Sequence, residues 1–314
     1  MKKVLQKAAM LCLVYIVCSF YAFAGGRSEE QVPEGKVAVA VTFDAMKELT
    51  QVVGKDKVYI HTIIPPGVEA HDFEPNAGSL AFLKQAKAIV YNGLGMEHWL
   101  DKALKAVQNP NLRTICVTQG IEPIQVAVFE HGHEECDGSC GHDHGEYDPH
   151  AWLSLNAAKV MVYNISSGLS EIDPTNKDFY ESNAAAFIKE ADSLLSDYQQ
   201  KFVLTERKNF VTSHAAFSYF CRDFGLRQKG VLDVFAAHEP TAQQLARLTD
   251  FCKEQHITTV FAEKIANHEV AQTLAQEAGT AVKTIYTIET AEDGLSYLDR
   301  MTYNLKSIYE SLIR

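Results

Sequence analysis

Positive charge is scarce in this chain: 29 Lys and Arg stand against 40 Asp and Glu, a net charge of −11. That deficit excludes a nucleic-acid partner, because binding a phosphate backbone rests on clustered cations. An acidic surface is compatible with cations without selecting one. Long apolar runs are lacking beyond the first two dozen residues, which excludes a later membrane span of about 20 apolar residues. Also missing are an H-E-x-x-H helix, a G-x-S-x-G elbow and a phosphate-cradling glycine loop, so no catalysis is expected. From Thr175 to Phe202 there is neither Gly nor Pro.

The first residues differ in kind. Lys2, Lys3 and Lys7 make a positive head, Ala8 to Phe20 an apolar run, and Ala22-Phe23-Ala24 a small-x-small cleavage signal. This pattern predicts a secretory signal peptide cut after Ala24 and an extracytoplasmic protein. The run is short for an uncleaved anchor. Cys12 and Cys18 lie in it without the Leu-small-small triplet of a lipoprotein. Cleavage would remove three lysines and no acid, taking −11 to −14. Cys116, Cys136, Cys140, Cys221 and Cys252 lie beyond it. In an oxidising compartment this odd number leaves at least one unpaired. Cys136 and Cys140 are spaced either to bridge or to bind metal together.

Further on, strand and helix patterns alternate. Strands are predicted at 37–43, 57–64, 88–93 and 112–118. Helices are predicted at 44–54 (capped by Asp44), 77–87, 97–107 and about 154–170. Such alternation argues for a parallel sheet covered on both faces. The stretch from Thr175 to Phe202 carries apolar side chains at Tyr180, Ala184, Phe187, Ile188, Ala191, Leu194, Leu195, Tyr198 and Phe202, mostly spaced by three and four. That is one face of a helix roughly 42 Å long, enough to connect two lobes. The second half repeats the alternation, with strands at 209–213, 230–235, 258–263 and 281–286. Helices fall at 241–255, opened by a Thr241–Gln244 capping box, and at 268–279. The expected fold is α/β: two lobes, each a parallel-sheet α/β sandwich, joined by one long helix. The expected division is a leader at 1–24, a first lobe at 25–172 that includes a His-rich loop at 129–147, the connecting helix at 173–203 and a second lobe at 204–314.

Twelve histidines are the chain's most suggestive feature. Zinc sites need imidazoles or thiolates converging at about 2 Å, and in open parallel sheets the binding crevice lies outside the carboxyl ends of strands. His71 follows a strand in "PPGVEAHDFEP", where Pro65, Pro66 and Pro75 restrict the backbone. His150 follows Pro149 in "DPHAW", with Trp152 as a packing anchor. His214 ends the strand in "NFVTSHAAF". Two from the first lobe and one from the second can meet between lobes. His131, His133, His142 and His144 have no apolar anchor near them, so weaker, accessory binding is expected there. His61, His98, His238, His256 and His268 read as packing or surface residues.

The segments from "VAVTFDAMKELTQVVG" to "LGMEHWLDK", "DPHAWLS", "TSHAAFSYFCRDFGL" and "VFAEKIANHEVAQTLAQEAG", in that order over nearly the whole chain after the leader, resemble the metal-binding cluster of solute-binding proteins of ABC importers, zinc type. The resemblance implies two lobes joined by a rigid helix and a metal in the inter-lobe cleft, with Zn²⁺ as the transported ligand. It implies delivery to a membrane permease with a cytoplasmic ATPase, and the carrier is taken as a monomer. The family's ligand histidines fall on His71, His150 and His214. Manganese-type members tend to carry Glu at the third position, so His214 points to zinc, as does the preference of Zn²⁺ for imidazole. The acidic His-rich insert is characteristic of the zinc subgroup. One departure stands out: the Asp ligand of many members falls on Tyr286 or Thr287 here, with Glu289 close by. The fourth ligand is then open between water and a loop residue, with Asp148, Asp72 or Glu263 available to balance charge. The alternatives are a manganese or dual-metal carrier of the same class and, further off, a zinc-dependent hydrolase.

Overall fold

Two four-stranded parallel sheets are laid down in the same order by the two halves of the chain. The computed structural model describes residues 31–126, 146–234, 240–263, 268–291 and 293–313. The first sheet contains β1 (Val37–Val41), β2 (Val58–Thr62), β3 (Ala88–Tyr91) and β4 (Arg113–Cys116), in the order β2-β1-β3-β4. The second contains β5 (Asn209–His214), β6 (Arg227–Leu232), β7 (Thr259–Ala262) and β8 (Ala281–Thr284), in the order β6-β5-β7-β8. All pairings are parallel, with Val37 opposite Val58 and Val39 opposite Ala88, and Val211 opposite both Lys229 and Val260. Each sheet therefore reverses its winding beside its own first strand, β1 or β5. That is where an open α/β sheet leaves a crevice.

Helices α1 (Asp44–Gly54), α2 (Leu100–Val107) and α3 (Leu155–Ile172) accompany the first sheet. Ser154 caps α3 by accepting a hydrogen bond from the Ala157 amide. Helix α4 (Lys177–Val203) runs for 27 residues without a break, a consequence of the missing Gly and Pro. Its N-terminal half packs on the first lobe, where Asn183 donates to the Val53 carbonyl at 2.9 Å. Its C-terminal half packs on the second, where Phe202 meets Phe220, Phe224 and Tyr309. The second lobe adds α5 (Ser218–Phe224), α6 (Ala242–Glu254), α7 (His268–Ala278) and α8 (Tyr297–Ile313). The Thr241–Gln244 capping box opens α6 as the sequence predicts.

The hydrophobic core does not stop at the lobe boundary. One continuous cluster takes in Val39 and Val90 of the first sheet, Phe187 and Phe202 of α4, Phe210 and Phe261 of the second sheet, and Leu305 of α8. A smaller cluster around Val211, Val260 and Leu274 lies on the far side of the second sheet. Glu34–Arg314 accordingly forms one compact unit.

Three expectations are corrected, and one element is added. The helix predicted at 77–87 is turns plus a single 3-10 turn, Ala81–Lys84. The Asn76 side chain accepts from the Gly78 and Ser79 amides at 2.8 and 3.1 Å, giving the backbone a turn in place of a helix. Asn109 then takes the Leu83, Lys84 and Ala86 carbonyls. The strand predicted at 230–235 is β6 at 227–232, an edge strand that begins with the charged "RQK" and so carries little apolar signal. Asp44 is the first residue of α1, not its cap, and its carboxylate serves Arg300 instead, at 2.6 Å. Finally, α8 had not been predicted, although Met301, Leu305, Ile308 and Leu312 keep helical spacing and are buried.

Candidate metal centre

Five candidate side chains descend from the carboxyl ends of strands. His71 lies in the loop after β2, His150 beyond β4, and His214 closes β5. Glu263 follows β7 and Glu289 follows β8. The parallel topology thus brings together residues 218 positions apart in sequence, from His71 to Glu289.

The histidines converge. One ligand nitrogen from each of His71, His150 and His214 lies within 4.8 Å of the others. The His71 and His150 Nε2 atoms are 3.1 Å apart. Zn–N bonds of about 2.0–2.1 Å in a tetrahedron place neighbouring ligand atoms roughly 3.3 Å apart, so this pair is already at ligand spacing. The Glu289 Oε1 atom stands 3.6 Å from His150 Nε2.

His150 is wholly buried. Its amide donates to Asp148 Oδ1 at 2.9 Å, and its Nδ1 meets the same oxygen at 2.8 Å. That contact assigns the proton to Nδ1 and leaves Nε2 free to bind metal. The peptide around it is pinned: Asn92 Nδ2 donates to the Pro149 carbonyl at 2.9 Å, and the Tyr219 hydroxyl donates to the Asp148 carbonyl at 2.9 Å. Trp152, also fully buried, donates from Nε1 to the Thr287 carbonyl at 2.7 Å. His214 meets the Val234 carbonyl through Nε2 at 2.8 Å and faces Glu263 Oε1 through Nδ1 at 3.5 Å.

Electrostatics divide the three imidazoles. Burial, with His150 and His214 opposite, holds His71 well below the ordinary imidazole value. Burial also lowers His150, although Asp148 pulls the other way. For His214 burial is outweighed by the hydrogen bond and charge of Glu263, by Glu289 and by the Val234 carbonyl, which raise it to about 10. Glu289 is only 9% exposed, and its Oε1 has no hydrogen-bond partner. Burial and the nearby Glu69 carboxyl push it well above the carboxylate range. A buried carboxyl oxygen without a hydrogen bond, beside the His150 imidazole, is costly unless a cation compensates it.

Glu289 is the residue whose position the sequence left open. It follows Ile288, a β-branched residue at φ 61 in the left-handed region, a conformation that costs of order 1–3 kcal/mol. Ile288 is held there by burial, by the Trp152 bond to Thr287 and by the Asp44 amide, which donates to the Glu289 carbonyl at 3.3 Å. Tyr286 and Thr287, the positions expected from the resemblance, do other things. The Tyr286 hydroxyl donates to Asp293, and the Thr287 hydroxyl donates to Glu263 Oε2 at 3.1 Å.

Elsewhere, His61 stacks on Phe82 with centroids 4.5 Å apart, as a packing residue would. Exposed His98 pairs with Glu74 at 3.1 Å. His256 sits in a left-handed turn after α6. His131, His133, His142 and His144, with Cys136, Cys140 and His238, lie outside the described residues. Among the described residues Cys116, Cys221 and Cys252 are free thiols, and no helix is long and apolar enough to cross a membrane.

A family model described as zinc-uptake complex component A, periplasmic, matches residues 39–311. The chain belongs to that family. A Treponema pallidum (strain Nichols) protein named for metal binding is 42% identical over 276 residues, covering 88% of this chain and 87% of the relative. The high-affinity zinc uptake system protein ZnuA of Bacillus subtilis (strain 168) is 34% identical over 283 residues, covering 88% of each. Among solved structures, the AdcAII protein of Streptococcus pneumoniae superposes with a TM-score of 0.79 at 28% identity, covering 89% of this chain and all of that one. Membership of the zinc-uptake component A family agrees with two parallel-sheet lobes whose strand ends converge on histidines.

Proposed function

We propose that this chain is an extracytoplasmic carrier that captures Zn²⁺ with high affinity and hands it to the permease of an ABC importer driven by a cytoplasmic ATPase. The observation that carries the reading is the convergence of His71, His150 and His214, with the buried Glu289 Oε1, which has no hydrogen bond, 3.6 Å from His150. In this reading the three imidazoles bind the ion and Glu289 supplies the fourth ligand. Three nitrogens and one oxygen suit borderline Zn²⁺ better than harder Mn²⁺. In this reading Zn²⁺ is cargo, bound and released by the cluster without being used in a reaction. The zinc-uptake names of the relatives point the same way. The lobes at 25–172 and 204–314, the connector at 173–203 and the cleaved leader at 1–24 belong to the same proposal.

The test is calorimetric titration of the metal-free chain with Zn²⁺ and with Mn²⁺, alongside a variant lacking residues 131–144. One tight zinc site that survives the deletion, with Mn²⁺ unable to compete at equal concentration, is the expected result. Loss of the tight site with the loop would make the His-rich segment the primary receptor, and equal competition by Mn²⁺ would make this a dual-metal carrier.

A further inference from the structure

A second group of potential ligands overlaps the first. Single ligand atoms from Glu69, His71 and Glu289 also lie within 4.8 Å of one another. The two groups share His71, and Glu289 reaches both, since its Oε1 is 3.6 Å from His150. What distinguishes them is depth and chemistry. His150 and His214 are buried and nitrogenous, whereas Glu69 is the least buried of its group and offers a carboxylate. It lies beside exposed Val68, on a loop that is tied across to the Glu289 segment by the Gly67 amide donating to Thr290 Oγ1 at 2.7 Å. The Glu69 Oε1 accepts from the His71 amide at 3.4 Å, and the Glu69 side chain shares a hydrogen bond with Glu289, so the two carboxyl groups already meet where an ion would enter.

The two groups cannot hold separate ions, because the neutral imidazole of His71 that they share offers one nitrogen to one metal at a time. They can hold one ion in turn. A hydrated Zn²⁺ arriving at the rim meets carboxylate oxygen first, and its coordination tolerates a fifth ligand while partners exchange. His71 and Glu289 would keep hold while Glu69 is replaced by His150 and His214. We infer that Glu69, His71 and Glu289 form an outer handover station through which Zn²⁺ passes on entering and leaving the three-histidine site. The inference rests on the carrier reading above. Glu69 in this role touches the ion only in transit and has no share in the final complex.

The test separates transit from final binding. Uptake of Zn²⁺ by the metal-free chain and its release to a chromophoric chelator are followed by stopped flow for the wild-type protein, Glu69→Gln and Glu74→Gln. Glu74 is an exposed acid on the same loop, outside both groups. A station lowers the barrier in both directions. Glu69→Gln is therefore expected to slow uptake and release alike by about tenfold, the loss of one charged contact at the barrier, with Kd held within about twofold. Glu74→Gln is expected to leave both rates unchanged. Faster release with a weaker Kd in Glu69→Gln would make Glu69 an ordinary ligand and overturn the station. Unchanged rates, or slower uptake alone shared by both variants, would overturn it as well. Failure of the wild-type chain to bind Zn²⁺ would instead overturn the carrier reading.

Discussion

Asp148 touches His150 twice, through its amide and through Nδ1, and so sets both the orientation of the ring and which nitrogen faces the cluster. The hydrogen bonds and charge of His150 hold the Asp148 carboxyl below its usual range despite its burial. Asp148→Asn should keep the fold but weaken zinc binding by about 10–100-fold, the usual effect of removing such a partner. His150→Ala and His214→Ala should each cost more than about 100-fold, since they remove the ligand itself. Titration against a competing chelator measures both classes, and an Asp148→Asn variant that binds like the wild type would show the ring to be held by packing alone. The three histidines were legible because each sits beside a backbone constraint visible in the sequence: prolines around His71, Pro149 and Trp152 around His150, a strand end at His214. Glu289 was not. It is aimed by the left-handed turn at Ile288, which an isoleucine does not advertise, and by hydrogen bonds from Trp152 and Asp44, more than a hundred residues away.

Among the elements, α1 and α8 are joined by a buried ion pair. Arg300 Nη1 lies 2.6 Å from Asp44 Oδ2, with both side chains almost fully out of water. Removing one partner strands the other charge, and Asp44→Asn should destabilise the protein by about 3–5 kcal/mol. Replacing both, as in Asp44→Leu with Arg300→Met, should cost clearly less, because no buried charge is left uncompensated. Denaturant unfolding of the two variants gives the comparison; equal losses would show that shape, not charge, holds the helices together. This pairing also marks the limit of pattern reading. Periodicity and caps reveal α4 and α6, yet no local signal says that Asp44 at a helix start faces an arginine 256 residues later. The same limit explains 77–87, where an Asx turn at Asn76 overrode an apparent helical pattern, and β6, whose charged edge hid its pairing with β5.

For the whole molecule, the shared core sets how the lobes respond to metal. Helix α4 packs on both, and one apolar cluster runs from the first sheet to the second. Separating the lobes would expose that cluster to water, at about 25 cal/mol per Å² of apolar surface. Zinc loading should therefore rearrange the loops around His71 and Glu289 while leaving the overall dimensions unchanged. Small-angle scattering with and without Zn²⁺ would show this, and a marked contraction would mean that the core parts after all. Two parallel-sheet lobes were visible in the alternation of strands and helices; the strand order within each sheet and the continuity of the core were not, because which strands and faces meet is decided only when both sheets are in place. The central claim is that one Zn²⁺ rests between the two sheets' strand ends. An anomalous difference map at the zinc edge, from crystals of the zinc-loaded chain, tests it most directly. The account predicts one dominant peak within bonding distance of His71, His150, His214 and Glu289; a dominant peak away from these four residues would contradict it.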